Sequence, residues 1–493
     1  IIMLNDVSRA FFEARAIRPL CVELPEEANL DGSKVGLLHL SLYGTRDAAK
    51  NWQEEVAKCM KDWGFQRGRY NPCMYQHAEK RLHCMLHGDD FVTTGTRDCV
   101  KEFRTQLEKR FEIKTQLIGN GPGEDREGRI LNRIIRVTDD GWELEADQRH
   151  AELIVKALSL EGAREVATPG EDEKPFEIDD NDIALEPERA SAFRRVAARC
   201  NYLAMDRPDM MYATKELCRS MANPTRGGWK KLKRLARYLL GAPRLVIRYR
   251  WQCPQEGCDG YSDSDWAGCR VTRKSTSGGV IMIGTHFIKG WSRTQQSITL
   301  SSGEAELVSA SKLAAEVLGV LSMCADWGIQ LSGRVLTDSS AALAVTRRKG
   351  CGKMRHIQVG LLWLQEQEEE GVLKFEKIDG ARNPADLLTK SLTAEKIEKF
   401  TKMLGGHRVS GRAQHGFEIQ SGGVKSGQGI IASLVCCREG SWRDGGSELS
   451  SGAPLAKHTS EVTADPLCQG VLGRRVRNTG RRDQGKRLRG ESG

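Results

Sequence analysis

The sequence predicts a multidomain protein in which α+β and α/β parts are joined by an all-helical connection. Residues 1–165 alternate short apolar strands with amphipathic helices, and residues 188–241 carry a helical pattern throughout. Residues 245–405 run through three strands, then helix, strand and helix, and end in a strand and short helices, an order that favours a mixed sheet. A chain of 493 residues is long enough for several domains, each with its own hydrophobic core.

Two helices in the first part can be placed from their apolar spacing. A helix is predicted over 47–63 and a second over 98–111, and Gly64 follows the first helix where a C′ glycine ends a helix. The apolar stripes that predict them are Ala48, Trp52, Val56 and Met60 in the first helix, and Val100, Phe103, Leu107 and Phe111 in the second.

The rest of the chain divides by composition. Residues 169–187 are rich in Asp, Glu and Pro and are predicted to form a linker, and Gly241 ends the helical stretch that follows. Residues 406–493 are Gly-, Ser- and Arg-rich without periodicity and are expected to be a disordered basic tail. The predicted segments are therefore 1–165, 166–244, 245–405 and 406–493.

Charge and cysteine content indicate the kind of environment and partner. The net charge of +9 suits a polyanionic partner, and the 15 cysteines are scattered without a CxxC pair, as expected for reduced thiols in an intracellular protein. No apolar run reaches the length that a membrane span requires, so no membrane partner is expected.

The first chemical motif is the acidic pair Asp89-Asp90, which has apolar residues on both sides. This pattern predicts that the pair lies at the tip of a β-hairpin, where both carboxylates can approach one divalent cation. A third carboxylate, Asp6, follows the apolar strand Ile1–Leu4 and precedes a turn with small and aromatic residues. Adjacent aspartates in a solvated turn are the competing explanation, and the third acid argues against it.

Together with the turn at 42–44 and the following Trp52, these residues resemble the reverse transcriptase of Copia-type LTR retrotransposons. The resemblance implies a polymerase palm with Asp6, Asp89 and Asp90 as metal ligands. The chain departs from the family where His87-Gly88 replaces Tyr-Val and where 47–49 replaces Gln-Ala-Pro. The fingers segment that the family places before the first aspartate is missing, so an incomplete palm and an inactive polymerase are expected.

The second motif is a series of four acids in four separate contexts. Asp263 lies on a predicted strand, Glu306 begins a helical turn, Asp338 ends a strand and Asp386 lies in a late helical segment. Four carboxylates around one cleft can hold two Mg²⁺ ions. Two assignments have competitors, because Asp265 and Glu304 lie two residues from Asp263 and Glu306.

Residues 259–404 resemble the ribonuclease H domain of Copia-type elements, in the motifs 265–268, 273–279, 301–306 and 385–390. The resemblance implies two Mg²⁺ ions per active site, with Mn²⁺ as a substitute. It also implies an RNA–DNA hybrid, an RNA template and a DNA primer as partners, and deoxynucleoside triphosphates where the polymerase is complete. His356 resembles a family histidine that would orient the scissile phosphate or assist proton transfer.

A basic helix lies between the two acidic motifs. Its cationic residues are expected either to hold the phosphates of a hybrid or to form a solvated helix face. They are Lys230, Lys231, Lys233, Arg234 and Arg237.

The predicted function is that of a retrotransposon RNA-directed DNA polymerase fragment with a ribonuclease H that hydrolyses RNA in RNA–DNA hybrids. The alternative is a decayed, catalytically inactive element that only binds nucleic acid. An intracellular location, in a cytoplasmic particle or the nucleus, is expected for either. The oligomeric state does not follow from the sequence.

Overall fold

The described residues form three main sheets with helices packed on them. The computed structural model describes residues 1–25, 27, 35–172, 183–352, 354–414 and 416, all of which belong to one compact unit. The predicted mixed α/β architecture with several sheets is confirmed. The predicted tail beyond residue 416 and part of the predicted linker, residues 173–182, lie outside the described residues.

The first sheet is antiparallel and has the strand order β4-β5-β6-β7-β1-β8. Strands β2 and β3 form a separate small sheet. The strands are β1 (Ile2–Val7), β2 (Cys21–Glu23), β3 (Val35–Leu37), β4 (Gln66–Arg67), β5 (Met74–His77), β6 (Leu82–His87), β7 (Asp90–Thr94) and β8 (Ile113–Ile118). Helices α1 (Ala48–Asp62) and α2 (Arg97–Arg110) match the two predicted helices and bury the predicted apolar stripes.

The second sheet draws its strands from distant parts of the chain. Strands β9 (Glu127–Ile130), β10 (Arg133–Thr138) and β11 (Gly141–Ala146) are followed by helix α3 (Gln148–Ala157). The helical stretch then contains α4 (Pro187–Ala204), a 3-10 turn at Pro208–Met210, α5 (Met211–Arg219) and α6 (Arg226–Gly241). Strand β12 (Leu245–Arg250) pairs with β11, so this sheet crosses the predicted segment boundaries at 165 and 244.

The third sheet has the order β15-β14-β13-β16-β17, antiparallel on one side of β13 and parallel on the other. Its strands are β13 (Gly257–Ser264), β14 (Thr276–Ile283), β15 (His286–Thr294), β16 (Ser332–Thr337) and β17 (Leu373–Lys377). The helices of this part are α7 (Ser302–Asp326), α8 (Ser340–Thr346), α9 (Trp363–Glu369) and α10 (Ala394–Met403).

Gly406–Arg408 form the last described strand, β18, which pairs with Leu245–Ile247 and completes the second sheet. The ordered fold therefore continues past residue 405, where the sequence pattern had placed the start of the tail. Local composition missed this strand because its partner lies about 160 residues earlier in the chain.

Among the described helices, α7 is long and apolar enough to cross a membrane by length and composition, which the prediction that no apolar run reaches that length did not anticipate. In this fold it is the core helix of the third sheet. Leu307, Leu313 and Val317 are fully buried in the cluster that also contains Cys258 and Val335 from the sheet. Its apolar composition is therefore explained by burial against protein.

The C-terminal end of α7 contacts the first sheet region. The carboxylate of Asp326 accepts hydrogen bonds from the backbone N–H groups of Arg69, Tyr70 and Asn71, at 2.7–3.2 Å. The Asn71 side-chain amide adds a further bond of 2.8 Å. A single side chain thus connects the turn at 69–71 to the core helix of the third sheet.

Candidate active sites

The first acidic cluster lies at the tip of the β6–β7 hairpin. Asp6 is opposite Asp90 in the antiparallel register of β1 and β7, and Asp89 lies in the turn between β6 and β7. One carboxylate oxygen from each of the three acids lies within 4.8 Å of the others. The predicted hairpin position of Asp89 and Asp90 is confirmed, and the structure brings all three predicted acids together.

The hairpin tip is held from two sides. Gly88 has a φ of +66°, a left-handed conformation in which a residue without Cβ is favoured. The indole N–H of the buried Trp52 donates a 2.8 Å hydrogen bond to the carbonyl of Gly88. The backbone N–H of Val7 donates to the carbonyl of Asp89 at 3.2 Å. Trp52 was visible in the sequence as part of a buried stripe, and a buried indole N–H needs an acceptor.

Burial and mutual repulsion both act on the carboxylates of this cluster. The pKa of Asp90 is raised by burial and then by the negative charges of Asp89 and Asp6, while His87 acts in the opposite direction. A divalent cation among the three carboxylates would relieve this repulsion.

The second acidic cluster lies at one end of the third sheet. Asp263 on β13 and Asp338 directly after β16 are neighbours, because these parallel strands pair Ser262 with Thr337. Glu306, in the first turns of α7, completes a group whose oxygens lie within 4.8 Å of one another. Asp263 is 3% exposed and Glu306 is 8% exposed.

The buried acids of the second cluster are positioned by hydrogen bonds. The N–H of Ser264 donates to Glu306 Oε1 at 3.1 Å, and the Ser309 hydroxyl donates to the Asp263 carbonyl at 2.8 Å. Glu306 Oε2 is buried without a hydrogen-bond partner among the described residues. Burial, followed by the charges of Asp263 and Asp338, raises the pKa of Glu306 to about 9.

An unpartnered buried oxygen beside two further carboxylates is a donor set that fits a hard divalent cation such as Mg²⁺ or Mn²⁺. The pKa of Asp338 is also raised, by burial and by Asp263, against the opposing effect of Lys390 and Lys377. Burial and the neighbouring acids therefore disfavour the ionised form of Glu306 and Asp338, and a bound cation would favour it.

The fourth predicted acid, Asp386, is close to the group without being one of the three that converge. It lies in a 3-10 helix, Pro384–Leu388. Its carboxylate contacts the Lys390 ammonium at 2.8 Å, and its pKa is raised by burial and by Asp263. The same ammonium is 3.5 Å from Asp263 Oδ2.

The two competing acids lie elsewhere. Asp265 accepts the backbone N–H of Thr276, outside the convergent group. Glu304 accepts the N–H of Leu300 at 2.7 Å, just before α7, and is 3.1 Å from His356 Nε2. The predicted auxiliary His356 therefore faces Glu304, with 45% of its side chain exposed.

The predicted phosphate-binding residues of α6 fall into two groups. Arg234 bonds Thr168 and Glu171 at 2.8 and 2.6 Å, and Arg237 bonds the Arg164 carbonyl, so both hold the segment 164–171 against α6. The lysines are more open: Lys230 and Lys233 are exposed, and Lys231 is half-buried. The sequence did not reveal the partners of the two arginines, because they come from a stretch without periodicity.

Comparison with known proteins finds similarity to reverse transcriptases and to retrotransposon Pol polyproteins. Residues 1–119 match the model of the family "Reverse transcriptase (RNA-dependent DNA polymerase)". Over 417 residues, the chain is 25% identical to the retrovirus-related Pol polyprotein from transposon TNT 1-94 of Nicotiana tabacum, covering 82% of this chain and 30% of that protein. It is 26% identical over 378 residues to the Pol polyprotein from transposon RE2 of Arabidopsis thaliana, covering 76% and 25% respectively.

Among solved structures, the foamy viral protease-reverse transcriptase in complex with an RNA/DNA hybrid aligns over 77% of this chain and 44% of its own, at 10% identity and a TM-score of 0.46. The chain spans between a quarter and a third of the length of the curated relatives described above. These matches support the resemblance of this chain to a fragment of the Pol polyproteins of Copia-type retrotransposons.

Proposed function

We propose that residues 245–405 contain a ribonuclease H that hydrolyses the RNA strand of RNA–DNA hybrids. The observation that carries the proposal is the convergence of Asp263, Glu306 and Asp338 at one end of the third sheet. A five-stranded sheet that is antiparallel on one side of β13 and parallel on the other agrees with the ribonuclease H resemblance. Asp386, which faces Asp263 through Lys390, would be the fourth catalytic acid.

The chemistry follows from the donor set. Two Mg²⁺ or Mn²⁺ ions, when bound, would supply an activated water and neutralise charge on the leaving 3′ oxygen. Asp263, Glu306, Asp338 and Asp386 would hold them. The Ser264 N–H and the Ser309 hydroxyl keep the acids oriented. His356, close to half exposed at the rim beside Glu304, would orient the scissile phosphate or assist proton transfer.

We further propose that the hairpin cluster is the palm site of an RNA-directed DNA polymerase. Asp6, Asp89 and Asp90 would hold the metal ions, with an RNA template, a DNA primer and deoxynucleoside triphosphates as substrates. The family match over residues 1–119 and the meeting of three acids at a hairpin tip support this role. Lys230 and Lys233, exposed on α6, would add salt-sensitive contacts to phosphates of the bound duplex.

The test of the nuclease is cleavage of a labelled RNA strand by the full chain in Mg²⁺, in an RNA–DNA hybrid and as single-stranded RNA. We expect cutting of the hybrid alone. Asp338→Asn should abolish cutting and leave hybrid binding within about twofold, because it removes one cation ligand but no phosphate contact. Asp259→Asn is the control, since Asp259 lies on β13, the strand that carries Asp263, but pairs with Arg334 at 2.7 Å, outside the cluster.

Each outcome has a definite meaning. Hybrid cleavage that survives Asp338→Asn would remove this residue from the active site. A folded wild-type chain that binds the hybrid without cutting it would refute the nuclease and favour the alternative, an inactive element that only binds nucleic acid.

A further inference from the structure

The second acidic cluster contains an internal cation, the ammonium of Lys390. It lies 2.8 Å from Asp386 Oδ1 and 3.5 Å from Asp263 Oδ2, and so bridges the fourth acid to the first. Asp386 and Lys390 are four residues apart at the end of a short 3-10 helix. Lys390 lies two residues beyond the end of this helix, where the chain returns its ammonium to the Asp386 carboxylate. The contact is a local property of the chain.

Three of the four acids converge on one point, and the fourth is paired with the lysine. The oxygens of Asp263, Glu306 and Asp338 converge, and Glu306 Oε2 has no hydrogen-bond partner among the described residues. Asp386 is outside that group and already has a positive partner. A divalent cation can therefore enter the group of three without displacing the ammonium, whereas a cation between Asp263 and Asp386 would take the position of the ammonium.

The exposure of Lys390 makes such an exchange feasible. Its side chain is 47% exposed, while those of Asp386 and Asp263 are 15% and 5% exposed. The Asp263 carboxylate is fixed in the fold, since the Thr389 hydroxyl also donates to its Oδ2. The lysine, by contrast, has a long flexible stem that can swing into solvent.

We propose that Lys390 holds the place of the second divalent cation, so that the cluster binds one ion freely and a second only when the ammonium moves away. This inference rests on the proposed nuclease function. Lys390 keeps Asp386 and Asp263 compensated while the second ion is absent. An RNA phosphate arriving at the site offers the displaced ammonium a new partner, which couples loading of the second ion to the presence of substrate.

The experiment is a titration of the full chain with Mn²⁺ alone, without nucleic acid, in which free Mn²⁺ is followed by its electron paramagnetic resonance signal. The parent protein carries Asp89→Asn and Asp90→Asn, which disable the other acidic cluster. We expect the parent to bind one Mn²⁺ tightly and a second Mn²⁺ weakly, and Lys390→Met to bind both tightly. The second ion should bind about tenfold or more tightly than in the parent, because a positive charge about 4 Å away has been removed.

Two variants separate the ammonium from a general structural effect. Lys390→Arg keeps the charge and should bind one ion tightly, like the parent. Lys377→Met removes the other lysine that influences Asp338, but its ammonium contacts the Ser340 hydroxyl, so one tightly bound ion is again expected. Circular dichroism of each variant establishes that it is folded.

The outcomes distinguish this inference from the nuclease itself. Equal Mn²⁺ binding by the parent and Lys390→Met, or two equally tight ions in the parent, would overturn the role of Lys390. If Asp263→Asn then abolishes Mn²⁺ binding, the cation site and the proposed function stand. If Asp263→Asn changes nothing, the cluster binds no cation and both proposals fail.

Discussion

The buried ion pair between Arg207 and Asp209 should dominate the stability of the helical part, and Asp209→Asn tests this. Arg207 is 1% exposed and Asp209 is 4% exposed. Their side chains form two parallel hydrogen bonds of 2.9 and 2.7 Å. The guanidinium also donates to the carbonyl of Ala242 at 3.0 Å, and the Tyr238 hydroxyl donates to Asp209 at 2.6 Å. The pair therefore connects the turn at Pro208–Met210 to the end of α6.

The size of the effect follows from what each substitution leaves behind. Asp209→Asn preserves shape but leaves a guanidinium buried without a counter-charge, which costs about 3–5 kcal/mol. Tyr238→Phe removes one hydrogen bond to a charged group and should cost about 2 kcal/mol. Replacing both charges, with Arg207→Met and Asp209→Leu, should cost less than Asp209→Asn alone, because no unpaired charge remains.

Native-state hydrogen exchange of the amides in α6 is the suitable assay. It reports the free energy of opening of this helix without assuming that a chain of this size unfolds in one step. The expected order of destabilisation is Asp209→Asn first and then Tyr238→Phe. A loss below about 1 kcal/mol for Asp209→Asn would refute the reasoning, since it would mean that water replaces the missing charge.

Three further predictions concern the contacts that hold other parts of the fold. Asp326→Ala should speed hydrogen exchange at residues 69–71 and lower the free energy of unfolding by about 1–2 kcal/mol, because its carboxylate no longer accepts their N–H groups. A slight stabilisation would contradict this. It would mean that removing an unfavourable negative charge from the helix C-terminus outweighs the lost hydrogen bonds. Burial lowers the pKa of His150 to about 4, although Asp147 acts in the opposite direction. The folded state therefore resists protonation of His150. The free energy of unfolding has its full value above about pH 6.5 and decreases as the pH falls toward 4. Urea unfolding of His150→Gln should show a weaker loss over that window, and an identical pH profile would exclude His150. Trp52→Phe removes the bond to Gly88 and should destabilise the hairpin tip by about 1 kcal/mol, seen as faster exchange at 88–90; unchanged exchange would show that packing alone holds the tip.

The features that the sequence predicted correctly are those encoded locally. The two amphipathic helices of the first part follow from apolar residues that recur about every four positions. The hairpin tip follows from an acidic pair between two apolar runs. The choice of Asp263 and Glu306 over their neighbours depended on the family pattern, and the structure brings these two together with Asp338.

The features that were missed depend on contacts between distant residues. No local pattern indicates that Leu245–Arg250 pairs with Gly141–Glu145, since an apolar strand is compatible with many partners. The bonds of Arg234 to residues 168 and 171 could not be predicted for the same reason. All five cations of the helix were predicted to bind phosphates or face solvent, whereas two of them bind another segment of this chain. The role of Lys390 was not predicted either, because its contact with Asp263 joins residues 127 positions apart.

The second sheet has a consequence for how the chain folds during synthesis. Its inner strand, Leu245–Arg250, can pair with β11 as soon as both have left the ribosome, but its other edge stays open until Gly406–Arg408 have emerged. The whole third sheet must be translated in that interval. An open strand edge is a template for wrong pairing. A ribosome that stalls between residues 250 and 406 would therefore leave one edge of this strand unpaired and exposed. Pausing within this interval should promote aggregation of the nascent chain.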